Sequence, residues 1–137
     1  MTTVSVRYIV RDVGEAITFY TEHLGFQIQF HPGPGFVQLG RGDLRLLLNA
    51  VGGSGGAAQA MPDGRRPEPG GWNRIQLEVQ DLPALVERLR AGGAQFRNDI
   101  VNGNGGRQIL LDDPAGNAIE LFEPYQDKGE EGPTQRT

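Results

Sequence analysis

The sequence contains no cysteine, and this absence excludes several kinds of site at once. Without thiols the chain has no disulfide framework, no thiolate zinc site and no cysteine nucleophile. Lysine is nearly absent too, and because the only one is Lys128, near the C-terminal end, no Walker-type phosphate loop is present. The two histidines, His23 and His31, are not paired at metal-ligand spacing, and ordinary surface or helix-end roles are expected for them.

Long apolar runs and an excess of positive charge are also missing. No stretch approaches the length that crosses a bilayer, and residues 1–12 contain no apolar leader core. The formal net charge is -4 and the isoelectric point is about 5.1, which argues against the positive field that nucleic-acid phosphates require. We therefore expect neither a membrane nor a nucleic acid as a partner, and we expect a cytoplasmic location.

The chain is long enough for one hydrophobic core. It has 137 residues, of which 37% are hydrophobic and 21 are glycine. This balance is typical of a single globular domain that is rich in loops.

Two parts of the chain follow the same plan. Apolar residues alternate over 6–10 and again over 75–79, which is typical of strands with one packed face. An aspartate follows each strand, Asp12 or Asp81, and opens an amphipathic stretch that ends at glycine, which predicts two capped helices. Because these aspartates are 69 residues apart and equivalent, the pattern indicates an internal repeat.

Each predicted helix is followed by three predicted strands. They cover residues 26–31, 36–41 and 44–49 in the first repeat and 94–100, 107–111 and 117–123 in the second. The sequence thus predicts an α+β fold of tandem βαβββ modules, over about 3–50 and 72–125, whose mixed sheet forms a cup with the helices on the outside.

The rest of the chain has no apolar periodicity. Residues 51–71, dense in Gly, Ala and Pro, are interpreted as a linker or a flap near the mouth of the cup. Residues 126–137 are interpreted as a polar tail that we expect to be mobile. The domain is therefore expected to cover residues 1–125.

The repeat and two short segments carry a resemblance to a known family. One segment is V-R-D-V at 10–13, running to F-Y at 19–20 and L-G-F at 24–26; the other is D-P-A-G-N at 113–117, leading to Glu120. Together they resemble the vicinal oxygen chelate superfamily, which includes glyoxalase I, extradiol dioxygenases, fosfomycin-resistance enzymes and bleomycin-binding proteins. The resemblance covers about residues 3 to 125.

The resemblance also implies four positions for metal ligands, on the first and last strand of each module. In this sequence they are Ser5, Leu47, Arg74 and Glu120. Only Glu120 is a good ligand, whereas divalent ions of this kind need three or more oxygen or nitrogen donors. We therefore expect no metal, no other cofactor and no catalytic residue.

A carboxylate at Glu120 that faces into the cup needs a compensating charge. Arg74, at another of the four positions, can supply it through a charge-assisted pair in place of a metal ion. The alternative is that both residues lie on a solvated sheet face, where an ion pair contributes little.

Other candidate ligand contacts follow from strand alternation and from the ends of the linker. The sheet face opposite the helices is predicted to carry Ser5, Arg7, Ile9, Arg74, Gln76 and Glu78. Gln38, Arg107 or Gln108 can add to this face, but alternation does not determine the register of strands 36–41 and 107–111. Trp72, the only tryptophan, can stack on a planar ligand or close the edge of the core. The candidate ligand-binding residues are Ser5, Arg7, Gln38, Trp72, Arg74, Gln76 and Glu120.

The leading hypothesis is a metal-free small-molecule binder of the bleomycin-resistance type, which sequesters an antibiotic or metabolite in a cup or dimer groove. The resemblance implies a homodimer. The alternative is a glyoxalase- or dioxygenase-like lyase or isomerase that uses Glu120 as metal ligand or general base, and a base role requires burial without a close cation. A third possibility is a partner-binding module. The acidic balance favours a cationic drug, whereas Arg7 and Arg74 favour carboxylate or phenolate groups.

Overall fold

The computed structural model of the chain describes residues 4–53 and 55–125, so the predicted polar tail lies outside the described residues. The contacts within the chain group into two units. Unit 1 comprises the described residues up to Trp72 together with Asp113–Asn117. Unit 2 comprises Asn73–Asp112 and the described residues from Ala118 onward.

The described part of unit 1 contains one α-helix and a four-stranded sheet. Its elements are β1 (Val4–Val10), α1 (Val13–His23), β2 (Gln27–Gly33), β3 (Phe36–Arg41) and β4 (Leu44–Ala50). The strand order is β1-β4-β3-β2, with β1 parallel to β4 and the other pairs antiparallel. A short 3-10 helix, Gly56–Ala58, follows β4 within the segment interpreted as a linker.

Unit 2 repeats this plan with an additional short strand. Its elements are β5 (Ile75–Glu78), α2 (Leu82–Ala91), β6 (Gln95–Phe96), β7 (Val101–Asn102), β8 (Gly106–Asp112) and β9 (Ala118–Pro124). The strand order is β5-β9-β8-β6, β7 pairs with β8, and β5 is parallel to β9. The first strand of each unit thus lies beside its last strand, and the predicted α+β fold is confirmed.

One predicted strand is wrong. Residues 94–100 form the two-residue strand β6 and then leave the sheet, instead of one continuous strand. The backbone N–H of Leu110 in β8 donates to the side-chain oxygen of Asn98 at 2.9 Å. The Asn98 side chain therefore takes the place of a backbone acceptor, and the strand ends there.

Both helices begin at the predicted aspartates. The Asp12 carboxylate accepts from the backbone N–H of Glu15 at 2.9 Å, and that of Asp81 accepts from Ala84 at 3.4 Å. After each helix the chain turns at a glycine with positive φ, Gly25 at 75° and Gly93 at 92°. None of the helices among the described residues is long and apolar enough to cross a membrane.

Each helix covers one face of its own sheet. In unit 1 the buried residues of α1 pack on alternate positions of β3 and β4, whose fully buried side chains are Val37, Leu39, Leu46 and Leu48. In unit 2, α2 contacts β9, and the fully buried side chains of β8 and β9 are Ile109, Leu111, Ile119 and Leu121. Burial of each such side chain contributes about 1.5–3 kcal/mol. The intervening positions of each sheet form its helix-free face.

The segment D-P-A-G-N forms a buried turn in unit 1. One oxygen of Asp113 accepts from two backbone N–H groups of the turn, and the other accepts from the Tyr20 hydroxyl at 2.8 Å. The Asn117 side chain donates to the carbonyl of Ile9 at 2.8 Å and accepts from the backbone N–H of Gly70 at 2.9 Å. Burial, followed by the charge of Asp113, raises the pKa of Tyr20 well above its usual value. The motif therefore has a structural role.

Candidate functional site

The buried acid Glu120 lies on the helix-free face of unit 2. Its neighbours along β9, Ile119 and Leu121, are fully buried on the helix-covered face, so the Glu120 side chain extends to the opposite side. Its register partners are Gln76 in the parallel strand β5 and Leu110 in β8. Only 9% of the Glu120 side chain is exposed.

Two side chains from the start of unit 2 donate to Glu120. Arg74 Nε donates to Oε1 at 3.0 Å, and Gln76 Nε2 donates to Oε2 at 2.8 Å. Both carboxylate oxygens of Glu120 therefore accept a hydrogen bond from a side chain of the same chain. The ion pair predicted between Arg74 and Glu120 is formed, and because Glu120 is buried, the alternative of a solvated face does not apply to it.

The hydrogen bond from Gln76 to Glu120 was not predicted, although the sequence placed Gln76 on the helix-free face. Arg74 and Gln76 are two residues apart and lie on the same side of the chain, and the parallel register places Gln76 directly opposite Glu120. The Arg74 side chain is 31% exposed, so water screens its charge in part. The Gln76 amide adds a neutral hydrogen bond to the buried carboxylate, which satisfies its second oxygen.

The helix-free face of unit 1 carries a hydrogen bond between an arginine and an amide, where unit 2 carries an ion pair. Arg7 Nη1 donates to Oδ1 of Asn49, a side chain in β4 that is 2% exposed. Gly55 approaches the same amide so closely that a Cβ atom at Gly55 would lie 2.8 Å from Asn49 Nδ2. The segment after β4 therefore approaches the amide from a second side. The interpretation of residues 51–71 as a linker or a flap stays a prediction.

The registers that alternation left open are determined by the partner strands. Gln38 lies opposite Leu47 on the helix-free face of unit 1, where its amide donates to Gln29 Oε1 at 2.8 Å. In unit 2, Gln108 alternates with the buried Ile109 and so lies on the helix-free face. Arg107 is on the other side of β8 and is not part of that face.

Arg107 instead belongs to a cluster at the start of α2. Arg107 Nη2 donates to Glu123 Oε1 at 2.7 Å. The same carboxylate accepts from the backbone N–H groups of Asp81 at 2.8 Å and Leu82 at 3.0 Å. These bonds, that from Leu82 first, lower the pKa of Glu123. Sequence reasoning missed Glu123 because no local pattern links it to a helix that begins about forty residues earlier.

The remaining predicted site residues are exposed. Ser5 lies opposite Arg45 in the β1–β4 pair and is exposed. Trp72 is 68% exposed, so the alternative in which it closes the edge of the core is wrong. Stacking of Trp72 on a ligand stays a prediction.

The four positions that the resemblance assigns to metal ligands do not fit a divalent ion. Leu47 has no donor atom, Arg74 is a cation, and both oxygens of Glu120 already accept hydrogen bonds. Ser5 offers one weak hydroxyl donor. Among the described residues there is also no group of three or more His, Asp or Glu side chains that could hold a metal ion.

These units define a class of protein, in which a strand, a helix and three strands are repeated and each sheet has one polar, helix-free face. The chain belongs to the Glyoxalase/Bleomycin resistance protein/Dioxygenase superfamily, whose sequence model matches residues 3–121. No curated protein matches the sequence significantly.

Several solved structures are similar over most of their length. TnmS3, an antibiotic binding protein from Streptomyces sp. CB03234, has 26% identity and a TM-score of 0.68, with 90% of this chain and 96% of that chain covered. A superfamily member from Sphaerobacter thermophilus DSM 20745 has 27% identity and a TM-score of 0.70, with 90% and 97% covered. A lactoylglutathione lyase from Agrobacterium tumefaciens has 20% identity and a TM-score of 0.69, with 89% and 92% covered, and at this identity it shows the fold alone.

Proposed function

We propose that this chain is a metal-free small-molecule binder of the bleomycin-resistance type, which sequesters an antibiotic or metabolite without chemical change. The proposal rests on the hydrogen bonds that Glu120 accepts within the chain. Its two oxygens accept from Arg74 and Gln76, so the one good metal ligand among the four family positions is already satisfied by a cation and an amide.

The surroundings of this pair suit binding. Gln76 and Gln108 present amide groups on the helix-free face of unit 2, and Leu110, the register partner of Glu120, adds an apolar contact. A few placed polar groups among apolar side chains are typical of small-molecule sites. TnmS3, which is described as an antibiotic binding protein, supports the same class of function at 26% identity.

The enzyme alternative stays a prediction, in which Glu120 serves as metal ligand or general base. For a general base, the carboxylate must accept a proton from a substrate. Here the guanidinium of Arg74 and the amide of Gln76 donate hydrogen bonds to both of its oxygens. The arrangement therefore favours a fixed structural role for Glu120 over a role as proton acceptor.

Two measurements on protein purified without chelators test the proposal. Elemental analysis should find Ni, Zn, Fe and Mn well below one atom per chain, because the donor set is unsuitable. A melting screen with antibiotics that include bleomycin, and with aromatic metabolites, should find compounds that raise the melting temperature progressively with concentration. A ligand at a hundred times its Kd adds about 2.7 kcal/mol of stability.

Either of two results would overturn the proposal. One is a stoichiometric metal that Glu120→Gln removes, which would favour the enzyme. The other is a screen in which no compound changes the melting temperature, which would favour a partner-binding module.

A further inference from the structure

We propose that the helix-free face of unit 1 recognises an anionic group, a carboxylate or phenolate on a planar and largely apolar guest, and that Arg7 is the residue that binds it. The inference rests on the proposed small-molecule binding and adds the chemical class of the guest. It also assigns an anchoring role to Arg7 and a positioning role to Asn49.

The charge of Arg7 is not neutralised within the described part of the chain. Its partner Asn49 is a neutral amide, and none of the ion pairs between described residues includes Arg7. On the helix-free face of unit 2 the cations have acidic partners: Arg74 pairs with Glu120 at 3.0 Å and Arg97 with Asp112 at 2.6 Å. Arg7 therefore retains a charge that a guest can compensate.

The charged side chains on the helix-free face of unit 1 are all positive among the described positions of β1, β3 and β4. Among the described residues, the helix-free positions of β1, β3 and β4 include two arginines, Arg7 and Arg45, and neither aspartate nor glutamate. The local charge is thus positive, although the chain carries a net charge of -4. A group bound at contact distance responds to these nearby cations more than to distant surface charges, because salt screens interactions beyond about 10 Å.

The guanidinium of Arg7 is held in place by a hydrogen bond, while the Arg7 side chain is accessible to solvent. Asn49 is 2% exposed and is confined on its other side by the backbone at Gly55. A buried amide that holds one end of the guanidinium reduces the entropy lost when the other end binds a guest. Arg7 itself lies at an exposed position of β1.

Apolar side chains surround Arg7 on the helix-free face of unit 1. Leu47 is the register partner of Arg7, and Phe36 is the register partner of Asn49. Ile9 follows on the same face of β1. These half-buried apolar side chains are suited to the flat body of a guest whose anionic group meets Arg7, because guanidinium groups are weakly hydrated and tolerate apolar neighbours.

The test compares two probes of the same shape, 2-naphthoate and its neutral amide 2-naphthamide, by isothermal titration calorimetry on the full chain. We expect 2-naphthoate to bind at least about tenfold more tightly, since hydrogen bonds to charged groups are the stronger ones. The preference should decrease as salt is raised.

Variants then assign the preference to particular residues. Arg7→Gln should bring the ratio of the two affinities close to one, and Arg7→Lys should restore it in part. Asn49→Asp places a carboxylate of nearly the same shape beside Arg7 and should also lower the ratio of the two affinities. If Asn49 had only a structural role, this substitution would leave the ratio unchanged. Arg88→Gln, which removes the same charge from an exposed position on α2, should leave the ratio as it is.

Three outcomes would overturn the inference. If 2-naphthamide binds as tightly as 2-naphthoate, the guest class is wrong while the proposed binding function stands. If Arg7→Gln changes the ratio no more than Arg88→Gln does, the anion is bound elsewhere. If neither probe binds, the face does not recognise such guests, and the proposed function is then decided by the antibiotic and metabolite screen alone.

Discussion

Glu120 is held as a buried carboxylate by two donors of different exposure. The Arg74 side chain is 31% exposed and that of Glu120 is 9% exposed. Removal of Arg74 and removal of Glu120 should therefore lower the free energy of unfolding by different amounts. Without Arg74 the carboxylate stays buried with only an amide, whereas without Glu120 the guanidinium can reach water.

This asymmetry gives a prediction for a double-mutant cycle of Arg74→Ala and Glu120→Ala. We expect a coupling energy of about 1–3 kcal/mol and a larger loss of stability for Arg74→Ala than for Glu120→Ala. Urea unfolding followed by circular dichroism measures both. The exposed pair Arg65–Asp63, with side chains 82% and 56% exposed, is the control and should show less than about 1 kcal/mol. Equal coupling in the two cycles would contradict the buried-pair interpretation.

Tyr20 contributes to stability through a single buried hydroxyl group. Its ring is fully buried, and its hydroxyl donates to Asp113 at 2.8 Å. Tyr20→Phe keeps the ring and removes this bond, and we expect a loss of about 1–2 kcal/mol in the free energy of unfolding. Tyr125→Phe is the matched control, because Tyr125 donates to the carbonyl of Gly103 from a 41% exposed position. A loss for Tyr20→Phe no greater than for Tyr125→Phe would show that the hydroxyl does not stabilise the turn.

At the scale of elements, the start of α2 depends on a residue far from it in sequence. Asp81 caps the helix with its own side chain from a left-handed backbone conformation, at φ 52°. Glu123 of β9 binds two further backbone N–H groups at this end, where the helix dipole also favours a negative charge. Sheet and helix are thereby connected by one carboxylate.

The lowered pKa of Glu123 predicts a pH dependence. In the folded state its pKa lies below the ordinary value of 4.5, so the stabilisation is fully present above about that pH and is lost as the pH falls through the folded pKa. Wild type should therefore be more stable than Glu123→Gln at pH 7, and the difference should shrink below pH 4.5. Urea unfolding at several pH values checks this, with Glu87→Gln, an exposed glutamate of α2, as control. A difference that does not change with pH would contradict the assignment.

At the scale of the whole molecule, the two units share a topology but differ in polar chemistry. By register, Arg7 opposite Leu47 in unit 1 corresponds to Gln76 opposite Glu120 in unit 2. Unit 2 therefore carries a carboxylate with its own cation, while unit 1 carries a cation beside a neutral amide. The repeat supplies one scaffold twice, and the side chains at equivalent positions decide what each face can bind.

We also predict that the chain is a homodimer, since the family resemblance implies a groove completed by a second chain. Light scattering coupled to size-exclusion chromatography should give about twice the chain mass of 14.9 kDa. The mass should persist on dilution to micromolar concentration, as for a stable interface. A mass of one chain at all concentrations would contradict this prediction. Any binding site would then have to lie within a single copy of the chain.

Much of the fold was predictable because its signals are local. The alternation in β1 and β5, the caps at Asp12 and Asp81 and the glycines after each helix are set by neighbouring residues, and they predicted the repeat correctly. The Arg74–Glu120 pair was predictable as well, because the family resemblance placed both residues among the four converging positions at the first and last strands of the modules. The interruption after β6 was not, because it depends on a hydrogen bond from Leu110 to Asn98.

By itself the sequence determined the βαβββ repeat, the order of the elements outside residues 94–102 and the candidate residues of the site, since these follow from periods of two and 3.6 residues along the chain and from the resemblance built on them. Apart from the Arg74–Glu120 pair, only the tertiary structure decided which side chains meet. The faces of Gln38 and Arg107, the second bond to Glu120 and the amide beside Arg7 depend on strand register, and a slip of one residue would reverse each of them. That register is set by partner strands distant in sequence, so no local pattern contains it.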